Sequence, residues 1–251
     1  MANSMMQAPP GSRQSRLALL GLVLALVSAL VAILSGFGSR WGWWPFGVGF
    51  TLLKWAVYVA LAGVVISLID LVRARGLGRG YAVAGFMIAL VVVLLPLNYL
   101  RLARSVPPIH DITTDTDNPP GFVAILPLRK NAANSADYAG LALAAQQLKA
   151  YPEIKPMVLE VTADQAFQQA LTAAREMGWA IIAENPDEGR IEATDTTTWF
   201  GFKDDIVIRV TPAGQGSRVD VRSVSRVGVS DVGTNARRIT AYLKKLAASS
   251  R

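Results

Sequence analysis

Uninterrupted apolar runs dominate the first hundred residues of this 251-residue chain. They cover residues 17–37, 46–69 and 81–100 and contain one charged side chain, Lys54. Each run is long enough to cross a bilayer as a helix, which takes about 20 residues, and a helix is the only plausible backbone form in lipid. We therefore expect three transmembrane helices within residues 17–104, behind a disordered tail at 1–16. A cleaved signal peptide is the alternative for the first run, although its apolar part would be unusually long.

The pattern changes after residue 104, where apolar positions recur with the shorter periods of packed helices and strands. A proline-rich connector at 105–122 is expected to be extended and to contain no regular element. Helices are predicted over 137–151 and 163–177 and from about Asp231 onward. Strands are predicted over 157–161, 179–184, 190–197, 204–211 and 218–226. This order predicts a two-layer α+β domain over residues 105–251, with an antiparallel sheet and helices on one face.

Local signals refine three of these boundaries. Thr162 and Gln165 have the spacing of a capping box, which predicts the start of a helix at Ala163. Ser230 is the predicted cap of the last helix. A four-residue loop over 213–216 would place Arg209 opposite Asp220 in a hairpin, as a favourable cross-strand charge pair.

The positive charge of the chain belongs to the apolar region. Residues 1–104 hold nine lysines and arginines and one acid, Asp70, whereas residues 105–251 hold sixteen basic and seventeen acidic residues. The net charges of the two parts are therefore +8 and −1. A nearly neutral domain is not expected to bind nucleic acid, so the high isoelectric point reflects the flanks of the membrane helices.

The basic flanks also predict an orientation. Five of these residues belong to one side of the membrane and three to the other: Arg13, Arg16, Arg73, Arg75 and Arg79 against Arg40, Arg101 and Arg104. The positive-inside rule then places the N-terminus in the cytoplasm and the C-terminal domain outside it. The loop RWGWWPFG at 40–47 is typical of an aromatic belt at a membrane surface.

Few residues suggest chemistry. The chain has no cysteine, which excludes disulfides, zinc–thiolate sites and cysteine nucleophiles. Its one histidine, His110, stands beside Asp111. The run beginning at Asp115 is similar to the start of a calcium loop, but Pro120 and Leu126 occupy the positions of the required glycine and glutamate. No metal or cofactor is therefore expected, and no motif names a reaction.

Three segments identify a family resemblance. IHDITTD at 109–115, EATDTTTWFGFKDDIVIRV at 192–210 and DVRSVSRVGVSDVGTNARRI at 220–239 resemble the domain of unknown function 1499 family. The resemblance covers most of residues 105–245. It implies no activity, because the family has none assigned. The family occurs in bacteria and in plastid-bearing organisms. Since no plastid-type transit peptide precedes the first apolar run, we expect this protein to lie in the bacterial inner membrane.

Polar residues matching the family signature form the candidate site. They are His110, Asp111, Asp115, Asp195, Asp205, Arg222, Ser225, Arg226, Asp231, Asn235 and Arg238. One interpretation is a single polar site for an anionic ligand or a partner. The other is a structural network that ties the connector to the sheet and the last helix, since buried charges need partners. We favour the structural network.

Three functions remain open at this point. The favoured one is a membrane-anchored domain that binds a ligand or partner at the envelope surface without catalysis. The second is a hydrolase or transferase that uses His110 with Asp111 or Asp115, or a serine such as Ser223 or Ser225 with a nearby base. The third is an accessory subunit of a membrane complex. The expected partners are the lipid bilayer and an envelope ligand or membrane protein.

Overall fold

A computed structural model describes residues 16–73 and 77–249 of the chain. The tail expected at 1–16 therefore lies outside the described residues, except for Arg16. Arg13 and Arg75, which entered the predicted orientation, also lie outside them. The chain divides into two compact units. The first extends to Leu100 and also includes Trp199–Gly201, and the second holds Arg101–Thr198 and the chain from Phe202 onward.

Three long helices form the first unit: α1 Arg16–Arg40, α2 Phe46–Arg73 and α3 Leu77–Ser105, whose last turn belongs to the second unit. All three are long and apolar enough to cross a membrane. Each helix is longer than its apolar run, because backbone hydrogen bonding continues into the polar flanks.

Small residues make the contacts between these helices. On α1 every buried residue is small, and from Ala18 to Ser28 these residues recur every three or four positions, whereas most large aliphatic side chains are exposed. A Cβ built on Gly21 would lie 2.6 Å from the Ser67 Oγ, so the backbones of α1 and α2 approach closely there. Such small-residue contacts are typical of membrane helix pairs.

The aromatic side chains of the tripeptide Trp199–Gly201 contact other residues of the first unit. The Trp199 indole Nε1 donates to the Ile33 carbonyl at 3.1 Å. The Phe200 ring stacks on Phe50 with centroids 4.8 Å apart. Although Trp199 and Gly201 match the family signature, they take no part in the polar clusters described below.

The second unit is an antiparallel sheet with helices, which confirms the predicted α+β class. Its strands are β1 Asp111–Thr113, β2 Met157–Leu159, β3 Ala180–Asn185, β4 Arg190–Thr196, β5 Lys203–Ala213 and β6 Gly216–Ser225. Its helices are α4 Leu141–Ala150, α5 Ala163–Glu176 and α6 Thr234–Ser249, with a short 3-10 helix at Leu126–Arg129. The strand order is β1-β6-β5-β4-β3, and β2 pairs with the other half of the same β6 edge.

The β5–β6 hairpin has the predicted register and a tighter turn. Arg209 stands opposite Asp220, as expected. Ala213 pairs with Gly216, so the loop has two residues where four were predicted. Gly214 has a φ of +61°, a conformation that glycine adopts without strain and that two-residue hairpin loops require.

Helix starts were predicted with mixed success. The capping box at α5 is present, with the Thr162 hydroxyl accepting from the Gln165 backbone N–H. The start of α6 near Asp231 was wrong, because Val232 and Gly233 have φ values of +54° and +74° and the helix begins at Thr234.

Two further expectations need correction. The connector is not free of regular elements: Asp111–Thr113 forms β1 against β6, a strand too short for its alternation to be recognised. The helix predicted over 137–151 is reduced to α4, since Gly140 has a φ of +75° immediately before it.

Alternation along the strands separates two faces of the sheet. One face packs against α5 and α6 in the main core, where the Tyr242 hydroxyl donates to the Ala170 carbonyl at 2.9 Å. The other face is covered by the irregular segment 114–137, with Phe122 and Ile125 packed on Val207 and Val224. Neighbouring residues on one strand, such as Asp204 and Asp205, therefore point into different environments.

Candidate functional site

The predicted polar site separates into two clusters on opposite faces of the sheet. The α6 cluster lies where the last helix meets the sheet and consists of Asp195, Asp204, Ser223, Ser225, Asn235 and Arg238. The covered-face cluster lies beneath the segment 114–137 and consists of Asp111, Asp115, Arg129, Glu192, Asp205, Arg209, Arg218, Asp220, Arg222 and Arg226. The structure therefore does not bring all the predicted site residues together.

Arg238 organises the α6 cluster from the first turns of α6. Its guanidinium donates to Asp195 at 2.9 Å and to Asp204 at 2.7 Å. Its Nη1 donates to the Asn235 Oδ1 at 2.6 Å and to the Ser223 Oγ at 3.2 Å. Each nitrogen of this guanidinium therefore has an acceptor within the protein.

Asn235 links α6 to the strands. It accepts from the Ser223 hydroxyl at 2.7 Å, and its amide nitrogen donates to the Ser225 Oγ at 3.0 Å and to the His110 carbonyl at 2.9 Å. These bonds connect α6 to β6 and to the residue before β1. The cluster thus fastens the last helix to the sheet.

Asp231 lies just before α6 and caps it. Its two carboxylate oxygens accept from the backbone N–H groups of Gly233 at 2.7 Å and Asn235 at 2.8 Å. Burial raises the pKa of Asp231, and the charge of Asp204 raises it further, whereas these N–H donors act in the opposite direction. Asp231 therefore stabilises the start of α6 as a cap.

Asp205 is the buried acid that anchors two arginines of the covered-face cluster. Its fully buried carboxylate accepts two bonds from Arg226, both at 2.8 Å, one from Arg129 at 2.6 Å and one from the Thr194 hydroxyl at 2.7 Å. Burial alone would raise the pKa of Asp205, but the hydrogen bonds from Arg226, Thr194 and Arg129 outweigh it, and the pKa is lowered. Asp205 therefore stays ionised as the anchor of two arginines.

Asp111 and Arg222 form a second buried pair in this cluster. The Arg222 Nε and Nη2 donate to the two carboxylate oxygens at 2.9 and 2.8 Å. Arg222 also donates to the Pro120 and Ala136 carbonyls, at 3.2 and 2.8 Å, so it binds two separate parts of the covering segment. The pKa of the adjacent Tyr138 is raised to about 12, by burial first and then by the Asp111 charge.

Asp115 and Asp220 share the arginines at the outer edge of the cluster. Arg209 donates to Asp115 at 3.1 Å and to Asp220 at 2.9 Å. Arg218 donates to the same two acids, at 2.7 Å and 3.0 Å. Each carboxylate here meets two guanidiniums, so the region has no unmatched charge.

Glu192 is fully buried and acts as a cap for the covering segment. Its carboxylate accepts the backbone N–H groups of Val123, Ala124 and Ile125 at 3.0, 3.0 and 2.9 Å. The Arg190 Nε lies 3.0 Å from the same carboxylate. Sequence reasoning missed Glu192 and Arg129 as members of the network, because neither gave a signal beyond its place in a strand or an irregular segment.

A known family matches most of this domain. A family model described as "Protein of unknown function (DUF1499)" matches residues 111–246, more than half of the chain. The chain belongs to the DUF1499 family. This confirms the resemblance found in the sequence, and the match contains all the residues of both clusters.

Other comparisons add little to the family assignment. The crystal structure of TTHA0849 from Thermus thermophilus is 11% identical, with a TM-score of 0.24, and the alignment covers 38% of this chain and 97% of that chain. At these values the likeness carries no inference about function. No curated protein matches the chain.

Ser223 and Ser225 of this DUF1499 domain, the two candidate nucleophiles, have no histidine, carboxylate or lysine side chain among their hydrogen-bond partners in the described residues. Ser223 and Ser225 bond to the amide of Asn235, whereas the ring of His110 meets the Val229 carbonyl through Nδ1 at 3.2 Å. Asp111, the predicted partner of His110, is instead paired with Arg222. Among the described residues, no group of His, Cys, Asp and Glu side chains is arranged to hold a metal ion.

The surface cavities that the described residues of the second unit form include the following two. The first, of about 300 Å³, lies beside Arg190 and Arg209, both of which already bond to carboxylates. The second, of about 440 Å³, runs along α6 from Gly233 to Lys244 and is called the α6 cavity below. Neither cavity contains a member of the α6 cluster.

Replacement of Arg226 by alanine tests the structural role of the covered-face cluster. The change removes both of its bonds to the fully buried Asp205 carboxylate. We expect the domain to lose about 3 kcal/mol of unfolding free energy, because a buried charge loses a partner. Denaturant unfolding of the full chain in detergent measures it, and wild-type stability would instead make Arg226 a candidate binding residue.

Proposed function

We propose that this protein is a membrane-anchored module that presents its DUF1499 domain outside the cytoplasm and binds a ligand or partner there without catalysis. The observation that carries the proposal is the internal pairing of both polar clusters. Residues that looked like a site are bonded to one another, to backbone groups or to the helix start. They stabilise the domain and leave its surface cavities for binding.

The arrangement of the serines and His110 supports a non-catalytic role. A serine nucleophile needs a base within hydrogen-bond reach. The two candidate serines meet an amide, which cannot accept a proton at neutral pH. The hydrolase or transferase alternative therefore has less support than binding, whereas the role of an accessory subunit is a form of the proposal in which the ligand is another protein.

Native mass spectrometry of the full chain in detergent tests the proposal. A bound molecule or protein that is released on denaturation with its mass unchanged is the expected result. A covalent adduct on Ser223 or Ser225, or a ligand released with an altered mass, would show catalysis. Preparations from several detergents that retain nothing would argue against a binding role.

The proposed location has its own test. Alkaline phosphatase fused after Arg251 is expected to be active, because the positive-inside rule places the C-terminal domain outside the cytoplasm. The same enzyme inserted at Gly76, between the second and third spans, is expected to be inactive. The reverse pattern of activities would overturn the orientation.

A further inference from the structure

The α6 cavity differs from the rest of the domain in its charges. It is lined on one side by Arg237, Ala241 and Lys244, which recur at helical spacing and share one face of α6. Arg237 and Lys244 are both exposed. Within residues 77–249, neither forms an ion pair with a carboxylate.

Arg237 is unusual among the arginines of the second unit. It donates to the Val232 carbonyl at 3.0 Å and to the Thr234 hydroxyl at 3.1 Å, which orient the guanidinium without neutralising it. The other described arginines after Ser105 are all paired with an acid: Arg129, Arg175, Arg190, Arg209, Arg218, Arg222, Arg226 and Arg238. Its positive charge therefore remains available to an anion.

Tyr151 offers a hydrogen bond in the same cavity. Its hydroxyl is buried and has no hydrogen-bond partner among the described residues. It lies 3.2 Å from the position that a Cβ on Gly233 would take, so the absence of a side chain there leaves room beside it. A buried hydroxyl without a partner is unfavourable, and an oxygen of a ligand in the cavity would satisfy it.

The wall of the cavity follows directly after the third apolar helix. Val106 lines the cavity and α3 ends at Ser105. Val106 lies six positions after Leu100, and at about 1.5 Å per helical residue this separation is roughly 9 Å, comparable with the depth of a headgroup layer. Arg101 and Arg104 are exposed in the same last turns and add to the positive charge.

From these features we infer that the α6 cavity binds the phosphate group of an anionic phospholipid from the adjacent leaflet. Arg237 and Lys244 meet the phosphate oxygens, and the Tyr151 hydroxyl donates to one of them. Val106 and Ala241 contact the glycerol and the first methylene groups. Glu153 also lines the cavity and reduces its positive charge. The inference rests on the proposed function and names its ligand.

Delipidated full-length protein in a neutral detergent tests this assignment, with phosphatidylglycerol as the probe and binding followed by native mass spectrometry. The double variant Arg237→Gln/Lys244→Gln is expected to bind it about tenfold more weakly, since basic side chains at a membrane surface each attract anionic lipid. Lys130→Gln/Lys149→Gln removes the same charge from exposed positions elsewhere and is expected to bind like the wild type. Glu153→Gln is expected to bind more tightly.

Two further measurements distinguish a lipid phosphate from a free phosphate ester and control for loss of folding. Phosphatidylcholine and soluble glycerol phosphate are both expected to bind more weakly, whereas phosphatidylglycerol is expected to slow hydrogen exchange over residues 232–245. Tyr151→Phe, which removes only the hydroxyl, is expected to weaken binding without changing the melting temperature. If the first double variant unfolds, the lipid affinities of Glu153→Gln and Tyr151→Phe still test the assignment.

The possible outcomes are distinct. Equal losses in the two double variants would mean that the lipid responds to the positive charge of the domain in general, and would overturn the assignment. Equal binding of glycerol phosphate would replace the lipid by a free phosphate ester. Retention of some other molecule, unaffected by the cavity variants, would overturn this inference and leave the proposed function standing. A protein that retains no molecule at all would contradict both this inference and the proposed function.

Discussion

Asp205→Ala is expected to lower the unfolding free energy of the DUF1499 domain by about 5 kcal/mol, the upper end of the range for breaking a buried ion pair. The loss is large because one carboxylate serves two guanidiniums. Arg129 and Arg226 would both lose their acid, and the Arg129 side chain is only 3% exposed. Since whole domains are stable by about 5–15 kcal/mol, the variant would be close to unfolding.

Hydrogen exchange of β5 and β6 amides in the full chain measures this loss. Asp187→Ala is the matched control, because it removes an aspartate from an exposed turn, and its effect is expected to stay within about 0.5 kcal/mol. Asp205→Asn keeps an acceptor oxygen without the charge and is expected to lie between the two. An Asp205→Ala protein as stable as the wild type would contradict the structural role of the cluster.

The lowered pKa of Asp205 also predicts how this contribution depends on pH. An acid whose pKa is lower in the folded state stabilises the protein above its unfolded pKa, and this stability is lost as the pH falls through the folded value. The unfolding free energy of the wild type is therefore expected to decrease as the pH is lowered past about 4, the ordinary pKa range of an aspartate. The Asp205→Ala variant is expected to show a shallower acid dependence, and an identical slope would contradict the pKa direction.

The α+β class and the hairpin register could be predicted because they depend on local alternation. The hairpin loop expected over 213–216 placed Arg209 opposite Asp220, and the structure has this pair. The alternation of side chains along each strand also divides the polar residues between the two faces of the sheet. Arg222 and Ser225, three residues apart on β6, point to opposite faces of the sheet, so these two signature residues do not share one face.

The covering segment could not be predicted from periodicity because most of it is irregular. Arg129 lies in a 3-10 turn, and its partner Asp205 is 76 residues further along the chain. Glu192 gave no signal of its contact with the covering segment, because its partners there are backbone amides, which nearly every residue type carries. The start of α6 was missed for a related reason: Val232 adopts a positive φ that β-branched residues rarely take.

Glu192→Ala is expected to cost about 4 kcal/mol. The change would leave the backbone N–H groups of Val123, Ala124 and Ile125 without their acceptor under the covering segment. An unsatisfied buried donor costs about 1–3 kcal/mol, and water entering beneath the loosened segment would recover part of the sum. Unfolding of the full chain gives the total, and hydrogen exchange at residues 120–130 gives the local effect.

Glu188→Ala provides the matched control for this last experiment. Glu188 and Glu192 both pair with Arg190, but Glu188 is about half exposed and accepts no backbone N–H from the covering segment. An exposed pair contributes about 0–1 kcal/mol, so the difference between the two variants isolates the backbone bonds. Glu192→Gln, which keeps one carbonyl oxygen, is expected to lie between them. Equal stabilities for Glu188→Ala and Glu192→Ala would show that the covering segment does not depend on this carboxylate.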